Sequence, residues 1–181
     1  MHPELTVITI VYNEVDRILA TCKSIDRQAY DNVEWIVLDG GSSDGTLDIL
    51  NQYTSEIDIL ISEPDRGIYH AMNKGIALAS GEYILFMNGG DEFYTADILA
   101  DVIPHLDSDI VYGNLLMRDG VRDHMRHYPS TLTSKYFLRE MLPHQATFYK
   151  KTLFDEAGLY DESFRIAGDY EFNTRIFKTL E

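Results

Sequence analysis

The sequence predicts an α/β fold, with a mostly parallel central sheet, helices on both faces, and a smaller antiparallel hairpin region in the second half. Three observations carry that prediction. Short runs of apolar and β-branched residues recur through the first half, each stopping abruptly at acids or polar turn residues. The first three are each followed by a segment whose apolar positions lie three and four apart. Strands alternating with helices at this spacing form parallel βαβ units, in which functional loops gather at the carboxyl ends of the strands. Further on, an Asp-Gly pair between two short runs breaks the alternation and marks a tight antiparallel turn.

Taken in order, the run Leu5–Val11 ends at Tyr12-Asn13-Glu14, and Ile18, Leu19, Cys22 and Ile25 supply the helix behind it. Residues 33–38 form a second strand running into Asp39-Gly40-Gly41-Ser42-Ser43-Asp44-Gly45-Thr46, followed by a helix bearing Leu47, Ile49, Leu50 and Tyr53. A third strand, at residues 57–61, leads through Asp65-Arg66-Gly67 to a helix with Ile68, Met72, Ile76 and Leu78 at near-helical spacing. The fourth, from Tyr83, ends in Asn88-Gly89-Gly90-Asp91-Glu92, so a buried strand delivers a carboxylate to an open edge.

Beyond this, a helix is expected over residues 96–103 and a strand over 109–112. Residues 115–118 and 121–127 flank Asp119-Gly120 as a hairpin, and a helix follows near 133–141. A strand at 145–149, a helix at 150–157 closed by Gly158, and an amphipathic helix opening near Asp169 complete the chain. That last pattern is still running at Leu180, so a truncated C-terminus is expected.

With 181 residues, one domain is expected. Thirty acids against fifteen basic residues leave a net charge of −15, a balance that repels polyphosphate backbones and argues against nucleic acid as a partner. The same carboxylates suit a hard divalent cation such as magnesium or manganese. Cys22, the only cysteine, rules out an internal disulfide and a cysteine-based zinc site. No signal sequence or membrane-length apolar run is present in the sequence, and a cytoplasmic protein is expected.

The strand-end motifs carry a resemblance. Residues 7–14, 37–46, 63–75 and the stretch Phe86-Met87-Asn88-Gly89-Gly90-Asp91, in this order, resemble the family-2 glycosyltransferases of bacterial cell-surface polysaccharide synthesis. Each motif alone is common in α/β proteins, and their succession over nearly the whole chain carries the likeness. The resemblance implies a Rossmann-like GT-A fold, with residues 1–93 as the nucleotide-sugar half and 94–181 as the acceptor half. It implies an inverting transfer of a hexosyl or N-acetylhexosaminyl group from a nucleotide-diphosphate sugar, expected to be UDP-linked. The acceptor would be a hydroxyl of a saccharide or lipid-linked saccharide, with peripheral membrane association through that acceptor or a missing C-terminal segment.

Carried over by position, Asp39 contacts the base or ribose, with Tyr12, Asn13 and Glu14 around the nucleotide. A carboxylate suits ring N–H and hydroxyl donors; the lesser alternative for Asp39 is a turn initiator. Arg66, after Asp65, is placed to pair with Asp65 or phosphate, and Lys74 serves either as a point charge toward the donor or on a solvated helix face. Asp91 holds Mg2+ or Mn2+ against the diphosphate, with Asn88 or Glu92 as helpers, and Gly90 stands where relatives often have an acid. His144, in Pro143-His144-Gln145, is either a further contact to metal or diphosphate or a locally hydrogen-bonded side chain.

Asp169 is the expected general base, its pKa raised by shielding from Tyr170, and it doubles as a helix N-cap; Glu171 is the second candidate. Tyr112, Tyr128, Tyr136 and Phe137, within the variable stretch 94–165, either stack on acceptor sugars or belong to the core. Two other functions stay open at this point: a non-catalytic nucleotide-sugar-binding module and a sugar nucleotidyltransferase, the latter lacking a phosphate-loop pattern in this sequence.

Overall fold

The computed structural model describes residues 3–118, 120–137 and 140–179. Its elements are β1 (Leu5–Val11), α1 (Ile18–Asp26), β2 (Val33–Asp39), α2 (Thr46–Leu50), β3 (Ile59–Ser62), α3 (Ile68–Leu78) and β4 (Tyr83–Phe86), then α4 (Ile98–Val102), β5 (Ile110–Tyr112), β6 (Leu115–Arg118), β7 (Asp123–Arg126), α5 (Ser134–Phe137), β8 (Thr147–Lys150), α6 (Thr152–Ala157) and α7 (Gly168–Thr179).

Six strands form one sheet in the order β3-β2-β1-β4-β8-β5, and β6 and β7 form a separate antiparallel pair. The first four strands are parallel, as their alternation with helices predicts. β8 is the exception. It enters antiparallel between β4 and β5, pairing Leu85 with Phe148 and Val111 with Phe148. That direction sets Thr147, the first residue of β8, at the sheet edge where β4 ends, so the residues just before it meet the strand-end loops.

β1 is buried along its whole length, and its side chains alternate between two cores as a strand's pleat requires. Ile8 and Ile10 join Ile36, Leu38, Met72, Phe86, Phe154 and Phe172 under α3, α6 and α7. Val7 and Val11 join Ile18, Cys22, Trp35, Leu50, Leu85 and Phe148 under α1, α2 and α4. Gly75 lets α3 lie directly on β1, since a Cβ there would stand 2.6 Å from an Ile8 methyl. Cys22 is inert core: burial pushes its thiol pKa up to about 11.

Several boundaries differ from expectation. β3 starts at Ile59, because residue 57 instead closes the turn after α2 by donating its N–H to Tyr53 O. The helix expected over 96–103 is α-helical only to Val102; a 3₁₀ turn at Ile103–His105, carrying Pro104, continues it. Residues 144–146 form a 3₁₀ turn ahead of β8, and α6 starts at Thr152. Of the expected hairpin, β6 and β7 pair Arg118 with Asp123, and Gly120 has φ 80°, while Asp119 lies outside the described residues. The helix expected over 133–141 is present over Ser134–Phe137, and positions 138 and 139 lie outside the described residues. Among the described residues no helix is long and apolar enough to cross a membrane.

Candidate active site

Parallel register lines up the strand ends. Val11 pairs with Asp39 and Asp39 with Ser62, so the loops after β1, β2 and β3 leave from one edge, beside Asn88 beyond β4. Asn13 takes a left-handed φ of 52°, a region Asn tolerates better than most residues. Its N–H donates to Ser42 Oγ and its Oδ1 accepts from Ser43 N–H, both within 2.9 Å. Glu14 N–H donates to Thr46 Oγ1, and the Glu14 carboxylate takes a bidentate pair from Arg17. Asn13 and Glu14 therefore bind the first two strand-end loops to each other.

Asp39 is buried and wholly engaged. It accepts the N–H and hydroxyl of Ser42 and the hydroxyl of Ser62, the two O–H contacts both at 2.5 Å. Tyr12, in contrast, is 60 % exposed. A Cβ on Gly40 would lie 2.8 Å from an Asp65 oxygen and 3.2 Å from the Tyr12 ring. Tyr12, Gly40 and Asp65 thus form one surface over Asp39, and only glycine lets them approach. Lys74 and His70 reach the same region, lining a small recess with Asp39 and Asp65. Lys74 pairs with Glu63, and His70 Nδ1 is buried without a partner among the described residues.

Arg66 departs from its expected pairing with Asp65. It reaches Glu162, 2.8 Å away, while Asp65 accepts the Gly67 N–H at the entrance to α3. Glu162 also accepts from Asn73, whose side chain clamps the Tyr160 backbone from both sides.

The second cluster forms where β4, the turn before β8 and α7 meet. His144 stands between two carboxylates: Nε2 is 3.8 Å from Asp91 and Nδ1 is 3.7 Å from Asp169. Asn88 Nδ2 lies 3.0 Å from His144 Nε2, while Asn88 Oδ1 is buried without a partner among the described residues. With Nε2 accepting from the amide, the ring proton sits on Nδ1 and faces Asp169. Burial pushes the Asp91 carboxyl above its ordinary range, against the opposing pull of His144, the Asn88 N–H and Arg17.

Asp169 lies one residue inside the start of α7, in its first turn rather than ahead of it. Burial would raise its carboxyl, but His144 and the N–H groups of Tyr170 and Asp169 itself outweigh that and hold it below the ordinary range. The expected upward shift is therefore reversed. The expected shield is different too: Tyr170 turns its hydroxyl to Phe137 O, and Tyr69 covers Asp169 instead. The Tyr69 hydroxyl accepts the Gly168 N–H at 2.8 Å and donates to Asp169 at 3.3 Å. Gly168 is obligatory there, since a Cβ would meet the Tyr69 ring at 2.8 Å. Glu171 is tied to Arg175 at 3.0 Å, an i,i+4 pair along α7.

Gly90 has φ 99°, and its N–H donates to Thr21 Oγ1. Position 90, where the resemblance led an acid to be expected, is thus in a backbone conformation that side chains other than glycine rarely adopt. Among the described residues no three His, Cys, Asp or Glu side chains converge to cage a metal ion.

Residues 6–164 match the family model described as Glycosyl transferase family 2. The chain belongs to glycosyl transferase family 2. It is 35 % identical over 182 residues to a PGL/p-HBAD biosynthesis glycosyltransferase of Mycobacterium tuberculosis, covering 97 % of this chain and 70 % of that relative. Among solved structures it is similar to S. aureus TarS 1-349 in complex with UDP (TM-score 0.78, 20 % identity, 96 % of this chain and 55 % of that one). It is also similar to the mannosyltransferase PcManGT from Pyrobaculum calidifontis in complex with GDP-Man and Mn2+ (TM-score 0.73, 22 % identity, 97 % and 52 %). The chain therefore spans about half the length of these structural relatives, and their likeness establishes the GT-A fold.

In this family-2 chain the expected residues form two groups. Tyr12, Asp39, Asp65 and Lys74 gather on the β1–β3 side, while Asn88, Asp91, His144 and Asp169 gather beside β4 and β8. Four residues escaped the sequence reading. Arg17 reaches toward the Gly90 turn and acts on Asp91; Tyr69 and His70 sit in a helix whose pattern read as core; Glu162 holds Arg66 from a distant loop. The available signal for Tyr69 and His70 was two polar-tipped side chains directly after the Asp65-Arg66-Gly67 strand-end motif.

Proposed function

We propose that the chain carries an inverting glycosyltransferase centre that moves a sugar from a nucleotide-diphosphate donor, UDP-linked, to a hydroxyl of a saccharide or lipid-linked saccharide acceptor. The observation that carries this reading is the row Asp91–His144–Asp169 at the sheet's carboxyl edge, beside the Tyr12–Asp65 surface. Relatives of the same fold hold UDP, or GDP-Man with Mn2+, in their solved complexes.

On this reading the exposed Tyr12 ring takes the face of the base, while Asp39 and Asp65 accept from base N–H and ribose hydroxyls, Asp39 by exchanging a serine donor for a ligand donor. Arg66 swings from the exposed Glu162 pair to the diphosphate, with Lys74 as a further charge. Asn13 and Glu14 hold the loops that shape this side.

The fit to a divalent cation rests on the buried, unpartnered Asn88 Oδ1 next to the Asp91 carboxylate. Two protein oxygens completed by donor phosphate oxygens and water suit Mg2+ or Mn2+, which commonly share their shell with substrate phosphates. When bound there, such an ion would supply positive charge against the leaving diphosphate. His144 enters that shell only by releasing Asn88, so its first role is to align Asn88 and Asp169.

Asp169 takes the acceptor hydroxyl proton as the acceptor oxygen bonds to the anomeric carbon. The bond from that carbon to the diphosphate oxygen breaks, and its electron pair leaves with the nucleotide diphosphate. Asp169 is ionised at neutral pH, and His144 and the Tyr170 N–H hold its carboxylate in place.

The test is release of UDP from UDP-sugars with Mn2+ in the presence of sugar acceptors, run alongside Asp169→Asn. The variant is expected to keep donor-induced thermal stabilisation and to lose transfer; wild-type transfer by the variant would remove Asp169 from the mechanism.

A further inference from the structure

A cleft of about 790 Å³ opens at Asp91 and runs beneath the β6–β7 hairpin, with α4 and β8 forming its floor. Its lining combines two chemistries. At the Asp91 end stand Glu92 and Gln145, polar groups able to hold sugar hydroxyls. The apolar part of the lining is Ile98, Val102, Leu115, Leu116, Met125 and Phe148, from α4, the hairpin and β8.

Of the polar side chains in the lining, Tyr94 and His127 are exposed, and three others are engaged with neighbours. Arg27 donates to Phe93 O at 2.8 Å, Arg118 faces Glu92 and Asp123, and Asn114 Oδ1 accepts the Tyr128 N–H. The aliphatic wall itself offers a carbohydrate no hydrogen-bonding side chain, and sugar hydroxyls laid against it would lose water, a net cost. Among the described residues Leu115, Leu116 and Met125 belong to neither core cluster, and Met125 is 40 % exposed. Flexible, polarisable methionine beside leucine suits an apolar ligand of irregular shape.

We propose that this cleft is the acceptor subsite for an apolar aglycone, an alkyl or aryl group attached to the acceptor sugar, with that sugar held at the Asp91–Glu92–Gln145 end. The inference rests on the glycosyltransferase reading and adds the class of acceptor to it. A free saccharide fills only the mouth; an aglycone covers Leu116, Val102 and Met125 and takes their surface out of water.

The test uses methyl, octyl and phenyl β-glucosides as probes, with binding followed by ligand-detected NMR, and UDP with Mn2+ as a separate thermal-shift probe. Octyl β-glucoside, phenyl β-glucoside or both are expected to bind roughly tenfold or more tightly than methyl β-glucoside, a gain that burying about two methylenes would supply. Their relative affinities separate an alkyl from an aryl preference. Met125→Arg, at an exposed hairpin position, and Val102→Trp, which fills the cleft from α4, are each expected to abolish that advantage while leaving the UDP shift unchanged. Equal binding of all three glucosides, or an advantage untouched by both variants, would overturn the aglycone site. Absence of any UDP shift would instead count against the glycosyltransferase reading, so the two failures are distinguishable.

Discussion

The loops after β1 and β2 and the cluster around His144 lie at the same sheet edge yet treat their polar groups in opposite ways. In the first region nearly every donor has a close acceptor: Asn13 with Ser42 and Ser43, Glu14 with Thr46 and Arg17, Asp39 with two serines. In the second, His144 stands 3.7 to 3.8 Å from two carboxylates, Asn88 Oδ1 has no partner among the described residues, and Asp91 is pushed toward its neutral form by burial. Satisfied polar groups make architecture; incompletely satisfied ones store the capacity to bind or to exchange a proton.

Substitution should separate the two regions by what each loses. The largest effect is expected at Asp169. Asp169→Asn should lower transfer by roughly 10²- to 10⁴-fold, the usual contribution of a general base, while the variant stays folded by circular dichroism with a lower urea midpoint at neutral pH. Because its carboxyl is held below the ordinary range, its stabilising contribution is present above the ordinary carboxylate pKa and is lost as pH falls through the folded value. The acid limb of the transfer rate should accordingly lie below that of an ordinary carboxylate, and His144→Phe should move it upward in a pH–rate profile.

Asp91→Asn should be the next largest, lowering metal-dependent donor binding roughly 10-fold or more in a titration with UDP and Mn2+. The same variant should melt at a higher temperature at neutral pH. A group whose folded pKa is raised contributes stability below its unfolded pKa and loses it as pH rises through the folded one, and Asn keeps the uncharged form throughout. A variant that binds worse yet folds better is the signature of the second region.

In the first region the balance inverts. Asp39→Ala leaves Ser42 and Ser62 without their shared acceptor and should cost about 1–3 kcal/mol in urea unfolding. Beside Asp91 one position is also architectural: Gly90→Asp should cost about 1–2 kcal/mol because the backbone is left-handed there. It should not tighten Mn2+ binding in calorimetry. Tighter binding would move Gly90 out of the architectural group.

Much of this was legible in the sequence because it is local. Strand and helix alternation, the Asp119-Gly120 turn, and acids at strand ends are patterns within a dozen or so residues, and they located Asp39, Asp91 and Asp169. What was hidden depends on partners far along the chain. The antiparallel entry of β8 between β4 and β5 is a choice of neighbours that β8's own composition does not express. The direction of the Asp169 shift is set by His144, and the pairing of Arg66 by Glu162, 96 residues away. Tyr69 is buried on the apolar side of an amphipathic helix, and periodicity cannot distinguish a packing tyrosine from one whose hydroxyl meets a carboxylate.

The position of β8 also has a consequence for the order in which the chain can assemble. Among the described residues β5 pairs with β8 alone, while β1 to β4 pair with one another. During synthesis from the N-terminus, the four parallel strands can therefore associate as soon as they emerge, whereas β5 must wait for residues 147–150 before it has a sheet to join. The parallel half is in this sense a template made early, and His144 is carried into place by the last strand to arrive.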